Sequence, residues 1–451
     1  TIDINWVAPG FSVNHQSKSI EKRGNIMKMQ LTALAAAVSI AMSASSLAQT
    51  VQSNVDLEYE SATSPQQGGG WGVNNENSNA LNIDDNAWDN SNFGAGDDTR
   101  FQTFTDSLGS MDPSTVISGE NTSFIRQETQ AGGAQFGNMA SVMQKGDQNY
   151  SNVDQNKQQS GDALEADVYQ NGEGNSSIVK QDLSFGAVAN VYQYGDRNLS
   201  KVDQFGADNN GSDVNQTGND NRSIVVQGTN PGGATGNNTF VQQNGDSNQS
   251  YVFQQWHNNT AMSDQFGDNG MSQIWQAGSG NEAKLKQEAG SELNTSYILQ
   301  GQGGVSDNNL ADVTQDGNNN ESYVSQLVGD GNEAFVKQTG SYGDSTILQS
   351  GALNYANVEQ SGVGDISFIT QEGSNNEANV TQKGLGIAGQ EFNESFILQT
   401  GGGSHIATVN QDHAPAGGWN NISTITQISA NQGNATVTQV GSGNRASTIQ
   451  Y

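Results

Sequence analysis

The chain has 451 residues, a formal net charge of −30 and no cysteine. Only 33% of its residues are hydrophobic, while 55 are Gly, so an ordinary globular core of this length is excluded. The charge argues against a nucleic-acid partner, because like charges repel and no basic patch exists to release counterions. Disulfides, thiolate chemistry and Cys-ligated metal sites are excluded outright.

Taken in order, residues 1–26 precede the first Met and read as an upstream extension that is not translated or not structural. Residues 27–48 read as a secretory signal peptide. Met27 and Lys28 open it, Leu31 to Met42 is its apolar run, and Ser46-Leu47-Ala48 offers small residues for cleavage between Ala48 and Gln49. The apolar run is too short for a membrane span, which needs roughly 20 apolar residues. Residues 49–115 form a Gly- and Asn-rich acidic leader. It holds the Gln66 to Gly72 stretch and the acids Asp84, Asp85, Asp89, Asp97 and Asp98, and its composition predicts disorder.

From 116 to 451 one unit recurs. Asn376-Glu377-Ala378-Asn379-Val380-Thr381-Gln382 displays it: Asn, any, small, any, aliphatic, any, Gln, then a Gly-containing turn. About 27 copies lie between Asn121 and Gln450, which marks a repeat architecture. The period of two puts Asn376, Ala378, Val380 and Gln382 on one side of an extended strand and the charged residue on the other. Successive terminal glutamines at Gln326, Gln338, Gln349, Gln360, Gln371 and Gln382 step by 11 or 12 residues. Seven residues of strand therefore leave four or five for a turn, where Gly supplies positive φ.

Ser and Ala alternate at the small position, as in Ser322, Ala334, Ser345, Ala356, Ser367 and Ala378. Two strand types imply two sheets. The predicted fold class is all-β: a β-solenoid of stacked strand-turn-strand repeats in two parallel, amyloid-like sheets, preceded by the disordered leader. Like then stacks on like. The stacking ladder comprises Asn320, Gln326, Asn332, Gln338, Gln349, Asn354, Gln360, Gln371, Asn376, Gln382, Asn393, Gln399, Gln427, Gln439, Asn444 and Gln450. Their enclosed amides need hydrogen bonds, which neighbouring rungs supply as in a steric zipper. Val324, Val336, Ile347, Val358, Ile369, Val380 and Ile397 point inward between them. Tyr297, Tyr323, Phe368 and Phe396 form an outward aromatic face, read either as plain β-propensity or as a sticky surface for bundling. The last unit, Asn444 to Gln450, is a full copy with no capping helix after it, so we expect a bare edge strand that templates another chain.

Gly-x-x-Asn-x-Ala-x-x-x-Gln, as at Gly373 to Gln382, and the ending Val437-Thr438-Gln439-Val440-Gly441-Ser442-Gly443-Asn444 resemble curlin repeats over about three quarters of the chain. That resemblance implies a secreted structural subunit. It would self-assemble end to end into curli-like functional amyloid fibres of the biofilm matrix and adhere to surfaces. It also implies export by a Gram-negative-type bacterium to cell-surface fibres, with a nucleator subunit, a periplasmic chaperone and an outer-membrane secretion pore as partners beside the chain itself. Two departures stand out: both strand types mostly begin with Asn, and the copies far exceed the family's usual handful.

No enzyme, cofactor or metal site is expected. Of the four histidines, His15 precedes the signal, and His405 stands where Asn usually begins a strand and reads as its structural substitute. His405 and His413 near Asp412 make only a weak case for surface metal binding. The tandem Gly-Gly-x-Gly-x-Asp of calcium-binding repeats is missing. The alternative function is a monomeric β-solenoid adhesin or ice-binding protein. Outward Thr pairs, Thr436 with Thr438 and Thr424 with Thr426, suit it but do not persist along the repeats.

Overall fold

A computed structural model describes residues 121–451 apart from 130–136, 158–162, 185, 229–233, 302–306, 385–392, 403, 414–419 and 430. The expected upstream extension, the signal with Ala48 and Gln49, and the acidic leader lie outside the described residues. What is described is all-β and contains no helix. Strands of six to eight residues alternate between two sheets, which we call A and B. Sheet A has 14 strands, beginning Thr122–Thr129 and Tyr150–Lys157 and ending Arg445–Gln450. Sheet B has 13, beginning Met139–Lys145 and Glu165–Asn171 and ending Asn434–Val440. A pair of two-residue strands, Ala207–Asp208 and Ala234–Thr235, joins two corners. The fold class expected from the repeat is the one observed, a parallel β-solenoid.

Every pairing is parallel and in register, apart from a shift after Gln326 where Val328 pairs with Ser350. Ala356, Val358 and Gln360 lie beside Ala378, Val380 and Gln382, which in turn lie beside Ala407, Val409 and Gln411. Register is held because a one-residue slip would turn every aliphatic side chain out of the core. The core is a double file of these aliphatics. Val324, Val336, Ile347, Val358, Ile369, Val380 and Ile397 all belong to it, with Ala on the sheet B side. Each rung buries only one such residue per strand, so no single turn could stand alone, and stability grows by neighbour contacts.

The turns explain the glycines. Gly351 has φ +105°, and a Cβ there would lie 1.8 Å from the carbonyl oxygen of Gly373, one rung away. The strand spacing brings turn backbones into direct contact, and only Gly fits. One residue before the Asn, the left-handed conformation recurs without Gly, at Asn319, Leu353 and Asn375.

The two outer surfaces differ. Sheet B alternates, as in Glu333–Gln338, where Ala334, Val336 and Gln338 are buried and the residues between them are not. Sheet A is closed on both faces over most of its length, and in Asp344–Ser350 the five central residues are all buried. This corrects the expectation of an outward aromatic face open to solvent. Tyr297, Tyr323, Phe368 and Phe396 do lie on the face of sheet A away from the core, yet each is less than 5% exposed. The same face also carries Phe253, Trp275, Leu299, Leu348 and Leu398, interrupted by Gln273, Ser325, Thr346 and Thr370. Burial of its apolar members is favoured out of water.

Candidate functional site

The chemistry of this stack lies in its amides. In sheet A each Gln Nε2 donates to the Oε1 of the Gln on the next rung, unbroken from Gln127 to Gln450, at 2.7–3.0 Å. In sheet B the same chain of bonds runs from Gln144 to Gln439 at 2.7–3.1 Å. The Gln members of the expected ladder all sit in these two columns: Gln326, Gln349, Gln371, Gln399, Gln427 and Gln450 in sheet A, and Gln338, Gln360, Gln382 and Gln439 in sheet B. Each amide also ties the sheets together. Gln349 Nε2 reaches the carbonyl oxygens of Glu333 and Asn354, at 2.9 and 3.1 Å, in the strand and turn of sheet B.

The Asn columns run the other way. The backbone N–H of Asn332 donates to Asn309 Oδ1, that of Asn354 to Asn332 Oδ1 and that of Asn376 to Asn354 Oδ1, at 2.9–3.1 Å. In sheet A, Asn320 donates to Asn294 Oδ1 and Asn444 to Asn421 Oδ1. Gln side-chain hydrogens therefore point toward the C-terminal rungs, while the backbone N–H of each of these Asn residues points to the Oδ1 of the N-terminal rung. Asn Nδ2 also caps the turn. It donates to Gly340 O from Asn320, to Gly351 O from Asn332 and to Gly373 O from Asn354.

A family model described as curlin associated repeat matches residues 307–340 and 346–384, segments that contain strands of both sheets and both amide columns. These two segments match the curlin-associated repeat. No curated protein matches it.

Inside and outside the matched segments the repeats keep their geometry with substitutions at single rungs. In sheet A the Asn slot is held by Gly270, Gly343 and Asp365; Gly343 N–H still donates to Asn320 Oδ1 at 2.9 Å. Asp365 is buried, which pushes its carboxyl up from the ordinary range, while hydrogen bonds from Asn393 pull the other way. Asn393 Nδ2 donates to Asp365 Oδ1 at 2.9 Å. In sheet B, His405 takes the slot. Its backbone N–H donates to Asn376 Oδ1 at 3.0 Å, and its Nδ1 accepts from Gly433 N–H at 3.1 Å. Its Nε2 lies 3.1 and 3.2 Å from the carbonyl oxygens of Thr400 and Ser429. An imidazole thus reproduces both the acceptor and the donor of an Asn side chain. Asp412 is exposed while His405 and His413 are buried, so the surface cluster imagined from sequence does not assemble. Among the described residues no group of His, Asp and Glu could hold a metal ion.

The inward Ser column behaves differently from the amides. Ser296 and Ser322 share a hydrogen bond, but the hydroxyls of Ser177, Ser200, Ser223, Ser345, Ser367 and Ser395 are buried without one. Small size, more than polarity, suits Ser to this position.

One feature escaped the sequence reading. The first turns of sheet B carry Met139, Met143, Tyr169, Tyr192 and Tyr194 on their outer face, with Tyr192 and Tyr194 37% and 40% exposed. The outward tyrosines of two successive sheet B strands, Glu165–Asn171 and Val188–Tyr194, were the available signal. Their adjacency appears only once strands some 23 residues apart are stacked.

Proposed function

We propose that this chain is a structural subunit that adds end to end to further copies, forming curli-like amyloid fibres, and that it is not an enzyme. The observation that carries the proposal is the unbroken Gln column in each sheet. Its outermost rungs have the same chemistry as its inner ones, so a second stack can continue both columns without new interactions. Among the described residues, no strand pairs with the outer edges of Thr122–Thr129, Met139–Lys145, Asn434–Val440 or Arg445–Gln450. Open parallel edges of this kind are templates for strand addition. The single direction of each Gln column favours head-to-tail addition, where donors meet acceptors.

The curlin-repeat match supports an extracellular matrix role with surface adhesion. Under this reading residues 27–48 are the signal, cut between Ala48 and Gln49. Residues 49–115 address export and 116–451 build the fibre. A nucleator, a periplasmic chaperone and an outer-membrane pore belong to the same proposal through the family resemblance.

The test is to dilute purified chain from denaturant and follow thioflavin fluorescence with and without preformed seeds, then record fibre diffraction. A lag removed by seeds, with reflections near ~4.7 and ~10 Å, is the expected result. A stable β-rich monomer that forms no fibres at any concentration would overturn the proposal and favour a monomeric adhesin.

A further inference from the structure

We infer that Tyr169 and Tyr194 form an oxidative cross-linking site, a dityrosine staple between neighbouring rungs of sheet B. The two rings stand 5.2 Å apart between centroids with planes tilted 39°. The register explains the pairing. Tyr169 lies directly beside Tyr192, and Asn171 lies beside Tyr194, so Tyr169 and Tyr194 are diagonal neighbours on one face. Aromatic side chains span that diagonal. Lys145, on the preceding rung, holds its ammonium 5.3 Å from the centre of the Tyr169 ring and fixes that ring from the other side.

The surroundings suit the chemistry. Tyr194 is 40% exposed, so a small oxidant or an enzyme's radical relay reaches it from solvent. Tyr169 is half-buried beside it, with Tyr192 in register on the same neighbouring strand as the competing phenol. Tyr297 and Tyr323 also lie beside one another, on sheet A, but both are buried and out of reach of an oxidant in solvent. The chain has no cysteine, so a phenol cross-link is a covalent tie this chain can make where a disulfide cannot form.

The step balances with a peroxide-consuming oxidant. Each phenol gives up one electron and one proton. The two radicals join through ring carbons ortho to the oxygens, and the hydrogen on each joined carbon returns to its oxygen as the ring regains aromaticity. Hydrogen peroxide, acting through a haem peroxidase, takes up both electrons and both protons and leaves as two waters. The product lacks two hydrogens and ties together strands that the fold already holds in register.

The experiment treats the folded full chain with peroxidase and hydrogen peroxide, then reads dityrosine fluorescence and maps cross-linked peptides by mass spectrometry. The expected result is one dominant intrachain product joining Tyr169 to Tyr194. Its yield should fall at least tenfold in Tyr194→Phe and stay within twofold in Tyr192→Phe. Both variants keep the ring and alter an exposed hydroxyl, so both should fold. The same treatment in concentrated urea should lose the selectivity. Coupling spread among the tyrosines regardless of Tyr194→Phe, a dominant Tyr169–Tyr192 product, or links only between copies would each overturn the assignment.

Discussion

Replacing Gln349 by Met tests whether the amide columns stabilise the stack or merely fill it. The side chain is 2% exposed, and Met preserves its length. Gln349 accepts from Gln326 Nε2 at 2.8 Å and shares its own hydrogens among Gln371 Oε1, Glu333 O and Asn354 O. Met removes all four contacts and leaves the buried partner groups short of hydrogen bonds. At about 1 kcal/mol for each lost bond, partly offset by the easier burial of a thioether, the net loss is about 3 kcal/mol. That is a large share of typical domain stability, roughly 5–15 kcal/mol. Repeat stacks lose two-state behaviour, so one unfolding midpoint is a poor readout. Amide hydrogen exchange resolved by strand is the better assay. We expect protection to fall in Asp344–Ser350 and in its two neighbours, Glu321–Val328 and Ile366–Glu372, with little change ten rungs away. Glu359→Gln, at an exposed position of sheet B, is the control and should stay within about 0.5 kcal/mol. Exchange in Gln349→Met that is unchanged or slower than in the parent would refute the claim that these bonds hold the rungs.

Three further outcomes follow from the same geometry. Gly351→Ala places a Cβ against Gly373 O at a backbone angle that L side chains rarely adopt; we expect a loss on the order of 3 kcal/mol, whereas Gly402→Ala, which meets nothing within 4 Å, should be nearly silent. Ser367→Ala removes a buried hydroxyl that has no hydrogen bond, so it should leave stability unchanged or raise it by up to about 1 kcal/mol; a loss above that in urea titrations would show that the hydroxyl has a partner. Acid should stabilise the fold. Burial, then the Asp344 carboxylate on the next rung, pushes Glu321 up from 4.5 to about 8, and burial pushes Glu372 from 4.5 to about 7. The folded chain then holds protons that the unfolded chain has released, so stability is highest below about pH 4.5 and falls as pH rises through about 7 and 8. Glu321→Gln should flatten the upper part of that decline, and stability that climbs across this window would contradict the assignment.

Much of the fold was legible because a parallel in-register stack makes local pattern and tertiary partner the same thing. Val380 packs above and below residues that occupy its own place in the repeat, so reading Asn376 to Gln382 once also reads its neighbours. The same logic explains why His405 could be recognised as a stand-in for Asn from its slot alone. The aromatic row misled for a physical reason. Alternation along a strand states which side Phe368 takes, but it carries no information about whether that side meets water.

By itself, then, the sequence determined the strand period, the division into two sheets, the in-register stacking and the turn glycines. Each follows from chain geometry and from the cost of burying an unpaired amide. The tertiary structure alone decided the direction of the Gln columns, the burial of the second face of sheet A, and the meeting of Tyr169 with Tyr194. The columns and the ring pair depend on how side chains from rungs 22 to 29 residues apart are oriented when superposed, and the order of residues along one strand encodes neither that orientation nor the exposure of a face.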